Sequence, residues 1–300
     1  MAGRASWRDW VKLHLVVVAW GFTAILGKLV SLPAVELTVW RTALAAVGLA
    51  GIMAFRRRRP ELDPGAAWAF FGTGALIGGH WMLFFLSARL GSASVTLAAM
   101  PTVLVWSSLI EPWVDGTRRW RAGELLVGAV MVGAVWLIYR VEFSQWMGFT
   151  VGLVSAFLAA VFAVWNKGLV AKHDPTVITG FQMLAACAVC VAAMPWSGAG
   201  WSWPSKADWL WLLLLSQVCT VGAYVAYLQV LRRLSVFTVN VVYNLEPVYG
   251  ILLAALVFGE TERMSPGFYL GAAIIVLGVT ALPWIRGKPE EEPATGATGP

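Results

Sequence analysis

Charge is what this 300-residue sequence has least of: Asp, Glu, Lys and Arg make up 13% of it, about half the ~25% of an ordinary soluble domain. Cysteine is scarce too. The three present are an odd number set inside apolar segments, so no disulfide framework is implied. The Cys187–Cys190 spacing falls within an apolar helix, where small packing residues are the better reading. Histidines and acids never fall at metal-ligand spacing, and neither a metal nor a cofactor is expected. A phosphate loop is missing as well. Five residues separate Gly21 from Gly27–Lys28 where four are needed, and Leu29 stands where Ser or Thr would hold magnesium. No small-residue cleavage site follows the first apolar stretch, so a signal peptide is not expected. These absences exclude a nucleotide-driven pump, a disulfide-stapled secreted domain and a metalloenzyme.

Apolar side chains dominate instead, at 59% of the chain. A soluble fold of this length cannot hide so many, since ~55–60% of a globular surface is already apolar. Lipid is therefore the solvent for most of the chain. Stretches able to span a bilayer, at ~20 residues each, lie near 11–30, 34–55, 66–88, 92–113, 121–140, 146–171, 176–195, 207–230, 236–259 and 265–285. Turn signals such as Pro33, Gly91, Asp174–Pro175 and Glu260 to Pro266 separate them. The expected fold class is an all-α integral membrane protein with ten transmembrane helices.

A net charge of +6 and a pI near 9.5 would suit nucleic acid. The cations, however, come in short runs between apolar stretches, the pattern that orients a membrane protein, and no nucleic-acid partner is expected. Sixteen Lys and Arg fall on one side of the ten-span layout, among them Arg4, Arg8, Arg56, Arg119, Arg232 and Lys288. Five fall on the other, namely Lys28, Arg89, Arg140, Lys206 and Arg263, and Arg41 stays inside a span. Both termini are expected in the cytoplasm. Trp7, Trp68, Trp113, Trp146 and Trp196 sit near span ends, as an interfacial belt requires.

The sequence also repeats. Trp20 matches Trp165 and Gly133 matches Gly278, both 145 residues apart, while Pro101 answers Pro247 one residue out of register. LGSASVTLAAMP from Leu90 is echoed by LSVFTVNVVYNLEP from Leu234. Five spans per unit is an odd number, so the second copy enters the membrane inverted, an architecture that places transporter sites near the midplane. The expected organisation is a five-helix repeat over 1–141, an inverted copy over 142–286, and a disordered cytoplasmic tail over 287–300 that is rich in Pro, Gly and Glu.

Three stretches carry a likeness. AWGFTAILGKLV in the first span, GGHWMLFFLSARLGSASVTLAAMP across the third and fourth, and LSVFTVNVVYNLEPVYGILLAALVFGE in the ninth resemble the EamA family of the drug/metabolite transporter superfamily. The likeness covers nearly the whole chain before the tail and includes the ten-helix count and the inverted repeat. The first repeat departs from it, with Trp113–Val114–Asp115 where a Gly–Glu pair often closes the helix. The resemblance implies a secondary transporter of a bacterial-type inner (plasma) membrane. Its partners would be the bilayer and a small-molecule substrate, usually an amino acid or related metabolite that is exported.

Charges at depth are the candidate site, because each costs ~2.5–3.5 kcal/mol at a span centre. Glu246 lies ~15 Å into the ninth span and Arg41 ~10 Å into the second from the outer side, at 1.5 Å per residue. They are read either as a helix-locking ion pair or as groups binding substrate or protons. Asn240, Tyr243, Asn244 and Pro247 share one helix face beside Glu246, and are read as a cavity lining. His80, ~21 Å from the cytoplasmic side, is the deep imidazole and, with Glu246, a candidate proton carrier. Trp20, Trp81 and Trp165 lie away from the belts and are candidate substrate contacts. Trp106 and Trp136 are read as packing or lipid-facing, Glu36 and Glu111 as interfacial, and Gln217 as a weaker lining candidate.

Gly74/Gly78, Gly148/Gly152 and Gly267/Gly271 have the small-residue spacing of close helix contacts, either within the bundle or in a homodimer. Two further function classes stand beside export. One is uptake of a metabolite or nucleotide-sugar-like solute. The other is a membrane enzyme acting on a lipid-linked substrate, which would want its carboxylate or His at the interface rather than at depth.

Overall fold

The computed structural model describes residues 6–57, 64–114, 122–170, 172–198, 200–231 and 242–285. Asn240, the tail from 287 and the cationic stretches at 58–59, 118–121 and 232–233 lie outside them. The described residues are all-helical, without a strand. Ten helical segments follow in order: α1 (Trp7–Leu29), α2 (Ala34–Phe55), α3 (Pro64–Leu90), α4 (Ala93–Val114), α5 (Ala122–Val141), α6 (Trp146–Val170), α7 (Pro175–Ala193), α8 (206–231), α9 (Glu246–Phe258) and α10 (Pro266–Ile285). Seven of these, α1 to α4 and α6 to α8, are long and apolar enough to cross a membrane.

The ends are set by residues suited to capping. The Asp174 carboxylate accepts from the Thr176 N–H at 2.9 Å just ahead of Pro175, which opens α7 at no cost in hydrogen bonds. Ser205 and Asp208 cap α8 reciprocally, at 2.9 and 3.2 Å.

Three segments expected to be continuous are interrupted. In α4 the stretch Met100–Thr102 tightens to a 3-10 turn around Pro101. The ninth segment breaks at a turn over 244–245, so that α9 begins at Glu246 with Pro247 in its first turn. Both breaks have the same cause, a proline that lacks an N–H for the ladder. In α8 the residues Leu214–Gly222 form a π-helix, a wide turn that leaves ladder carbonyls free for other donors.

Packing runs mainly between early and late helices. The principal pairs are α3 with α6 and α7, α1 with α8 and α9, α2 with α7 and α8, α4 with α6 and α9, and α5 with α10. A large apolar core joins α1, α3, α4, α6 and α8 around Leu26, Phe85, Leu97, Phe149 and Leu215. All three small-residue pairs are used inside this bundle. A Cβ on Gly74 would lie 2.6 Å from that of Ala185, one on Gly148 2.6 Å from the Gly91 nitrogen, and one on Gly271 2.7 Å from Ile138.

Candidate functional site

Helices α1 and α9 cross backbone to backbone. A Cβ on Gly21 would sit 2.9 Å from the Glu246 carbonyl oxygen, and one on Gly250 would sit 2.9 Å from that of Gly21. The approach is open to glycine alone, and it sets Trp20 beside the start of α9. The Trp20 ring lies 5.5 Å from that of Tyr243 and 5.3 Å from that of Tyr227. Its indole N–H donates at 3.0 Å to the Cys219 carbonyl, in the π-helix of α8. The Tyr243 hydroxyl donates to the Glu246 carboxylate, which is 6% exposed. Tyr243, Asn244, Glu246 and Pro247 face Met100, Pro101 and Leu104 across a narrow cleft with a free volume of about 10 Å³, room for one water at most. The site thus sits where two proline breaks meet.

Arg41 belongs to a neighbouring group. Its Nε donates to Thr220 Oγ1 at 3.0 Å, and its guanidinium lies 3.7 Å above the Trp81 ring. Thr220 is itself held by the π-helix, donating to the Leu215 carbonyl five residues back at 2.8 Å. Among the described residues no ion pair joins Arg41 to Glu246: the arginine uses Thr220 and Trp81, the acid uses Tyr243. Removing a cation from water costs several kcal/mol unless an anion compensates, and Arg41 is 3% exposed.

His80 faces Ser155 of α6. Its Nδ1 lies 3.0 Å from the Ser155 carbonyl and 2.8 Å from the Ser155 hydroxyl, which in turn donates to the His80 carbonyl at 2.8 Å. A carbonyl only accepts, so the proton is on Nδ1 and the Nε2 lone pair is the one left to titrate. Trp165 rests against Gly72 of α3 and is 51% exposed. Among the described residues it makes no ring contact with the Glu246–Tyr243–Trp20 group. Trp20, Tyr243, Asn244 and Glu246 are therefore brought together, and Trp81 and Arg41 form a second group. Asn240 lies outside the described residues. No group of three His, Cys, Asp or Glu able to hold a metal occurs among them.

The sequence profile of the EamA-like transporter family matches residues 11–140 and again 146–282. The chain belongs to the EamA-like transporter family. A protein of Haemophilus influenzae named "Uncharacterized transporter" is 23% identical to this EamA-family chain over 288 residues, covering 88% of it and 90% of the relative. A solved crystal structure superposes with a TM-score of 0.62 at 14% identity, over 92% of this chain and 96% of its own; at that identity the likeness speaks for the fold. Family and relative together point to a multi-pass membrane transporter rather than an enzyme.

Several polar residues of this EamA-family chain escaped the sequence reading. Gln182, fully buried in α7, donates through Nε2 to Thr73 Oγ1 and Asn166 Oδ1, both at 2.9 Å. An amide in the middle of an apolar stretch was the available signal. Thr220, Ser155 and Tyr227 carried none, because hydroxyls are common in apolar helices. On the side holding the α9–α10 turn, carboxylates fasten one loop to another. Glu262 pairs with Lys28 at 2.6 Å and accepts from the Ala93 and Ser94 N–H groups at 3.0 Å, capping α4. Burial pushes the Glu262 carboxyl up, but Lys28 and the two N–H groups outweigh it and hold the group below the ordinary carboxylate value. Asp208 takes the Ser31 N–H at 2.7 Å, and Glu142 takes that of Ser265 at 2.8 Å. Glu36, expected at the interface, is fully buried under the α7–α8 loop, where it accepts from the Ser202 N–H at 3.0 Å.

Proposed function

We propose that the chain is a secondary transporter exporting small, amino-acid-like metabolites across a bacterial-type inner membrane by alternating access, with both termini in the cytoplasm. The observation that carries this reading is the buried Glu246–Tyr243 pair, flanked by Trp20, in a cleft formed where the α4 and α9 breaks meet. Broken helices at depth are where transporters build their sites. With about 10 Å³ free, the cleft is far below the ~300–1,000 Å³ of a ligand pocket, so admitting a solute requires the surrounding helices to part. Trp20, Tyr243 and Asn244 then line the solute site with Glu246, while Trp81 and His80 approach it from α3. Trp165 would join from α6. Glu246 and His80 are the proposed proton carriers.

Two inverted halves, 1–141 and 142–286, are part of the proposal. The helix pairs support it: exchanging α1–α5 for α6–α10 turns α3–α6 into α8–α1, α4–α6 into α9–α1 and α3–α7 into α8–α2, all of them principal pairs. A homodimer would need surfaces other than the three glycine pairs, which are used within the bundle.

The test is flux in proteoliposomes. Vesicles loaded with a panel of radiolabelled amino acids should release at least one faster than vesicles carrying Glu246→Gln protein. Equal release from both, with the variant well folded, overturns the assignment of the site. Tags at both ends should report from the cytoplasm and a tag in the 197–205 loop from outside; the reverse overturns the orientation.

A further inference from the structure

Among the described residues Arg41 is a buried cation with no anion. One edge of its guanidinium is used by Thr220 and one face by Trp81, with the Phe85 ring 5.5 Å away. Neither Nη nitrogen has a hydrogen-bond or ion-pair partner among these residues, although the side chain is 3% exposed. Arginines placed only to join helices end on carboxylates or carbonyls, as Arg89 does on the Gly27, Val30 and Leu32 carbonyls at the end of α1. Arg41 ends on nothing.

We infer that Arg41 is the binding site for the carboxylate of the transported solute, and that it recognises the anion without needing an amine on the same molecule. This rests on the transport reading above and names the chemistry of its substrate. The two Nη nitrogens form a planar fork that matches the two oxygens of a carboxylate. Thr220, fixed by the π turn, and the Trp81 ring hold the plane of that fork before any ligand arrives, so little freedom is lost on binding. A phosphate dianion suits the place less well. It would bring a second negative charge, and the other described cations lie near helix ends while His80 has its Nδ1 proton committed to Ser155. Recognition is thus divided: Arg41 takes the anion, and the Trp20–Tyr243–Glu246 group takes the rest of the molecule.

The experiment compares an acid with its neutral isostere on the purified full-length protein. Melting is followed in detergent with sodium isocaproate, isocaproamide or sodium chloride at equal concentration. Isocaproate should raise the wild-type melting temperature by roughly 2–4 °C near saturation, and the amide and chloride should not. Arg41→Met should lose that shift, yet melt no lower than wild type without ligand, because an uncompensated buried charge has been removed. Arg41→Lys, which keeps the charge but not the fork, should show less than half of the wild-type shift. Equal protection by acid and amide overturns the inference without any variant being needed. Equal protection by chloride overturns the carboxylate assignment in favour of an inorganic-anion site. Protection that survives Arg41→Met, or a ligand-free Arg41→Met protein that melts well below wild type, assigns Arg41 to structure and overturns it too. Flux is a separate reading: acid-specific protection in a protein that moves no solute would overturn the transport proposal and leave only the carboxylate site at Arg41 standing.

Discussion

The indole N–H of Trp20 donates to the carbonyl of Cys219 at 3.0 Å, tying α1 to the π-helical stretch of α8. That carbonyl is available because a π turn displaces its usual intrahelical donor. One residue on, Thr220 receives Arg41 from α2. A single irregularity in α8 therefore positions the aromatic wall beside Glu246 and the cation beside Trp81.

Trp20→Phe separates the ring from its hydrogen bond. A lost hydrogen bond of this kind is worth ~0.5–1.5 kcal/mol, so apparent affinity for the solute should fall roughly fivefold while the melting temperature moves little. Trp20→Ala should lower both, since it also removes the contacts with Tyr227 and Tyr243. Binding and melting curves on both variants check this, and a Phe variant as damaged as the Ala variant would show that the N–H does not matter.

Glu262 makes stability depend on pH with a definite sign. Its folded-state pKa is held below the ordinary value by Lys28 and the α4 N–H groups. A depressed carboxylate contributes stability that is fully present above its unfolded pKa, ~4.3, and is lost as pH falls through the lower folded value. Melting temperature should therefore decline on acidification below about pH 4–5, and Glu262→Gln should flatten that decline. At neutral pH the same variant should be less stable by roughly 1–3 kcal/mol, the usual worth of a charged hydrogen bond. An unchanged acid limb in the variant would assign the pH dependence to other groups.

Seven of the ten expected spans are matched by helices long and apolar enough to cross a membrane, legible because lipid leaves a plain signature, long apolar runs, and the family was legible in the helix 9 stretch ending at Gly259–Glu260. The burial of Glu246 and Arg41 was legible too, since charge inside an apolar run is conspicuous. Their partners were not. Spacing on one helix says nothing about which helix lies opposite, so the Arg41–Thr220 and His80–Ser155 contacts needed three dimensions. The breaks at Pro101 and before Pro247 were half legible: proline marks where a ladder must lose a bond but not whether the helix bends or stops. The π-helix of α8 had no sequence signal, because no residue in Leu214–Gly222 requires a wide turn.

Gly250→Leu tests whether the α1–α9 crossing is needed for function or only for packing. A Cβ there would already meet Leu97 at 2.4 Å and the Gly21 carbonyl at 2.9 Å, so the helices must separate, at ~1–3 kcal/mol for an overpacked contact. The expected outcome is protein that still reaches the membrane but transports at least tenfold more slowly, with Trp20 drawn away from Glu246. Gly267→Leu, against Val141 at 2.9 Å in the α5–α10 pair, should cost similar stability and spare transport. Equal loss of transport in both variants would mean that transport follows stability alone.

Glu246 and His80, the proposed proton carriers, differ in their surroundings, and the difference separates their expected roles. If the proposed export runs uphill, an ion gradient is the driving force to test. Glu246 has a single described polar partner, Tyr243, and parting the α4 and α9 breaks would hydrate it, so its proton affinity changes with conformation. His80 keeps Nδ1–H on Ser155, so any proton it carries must arrive on Nε2. Glu246→Gln mimics the protonated acid and should leave solute-for-solute exchange intact while slowing net release and abolishing accumulation driven by a pH gradient. His80→Ala should do the same only if Nε2 is on the proton path; if the imidazole is a lining group, accumulation survives and apparent affinity falls. Ser155→Ala separates these outcomes, because it frees the imidazole to turn without removing it. Counterflow and gradient-driven uptake in proteoliposomes, measured side by side, read out all three variants. Full accumulation by Glu246→Gln would remove that carboxylate from the coupling step.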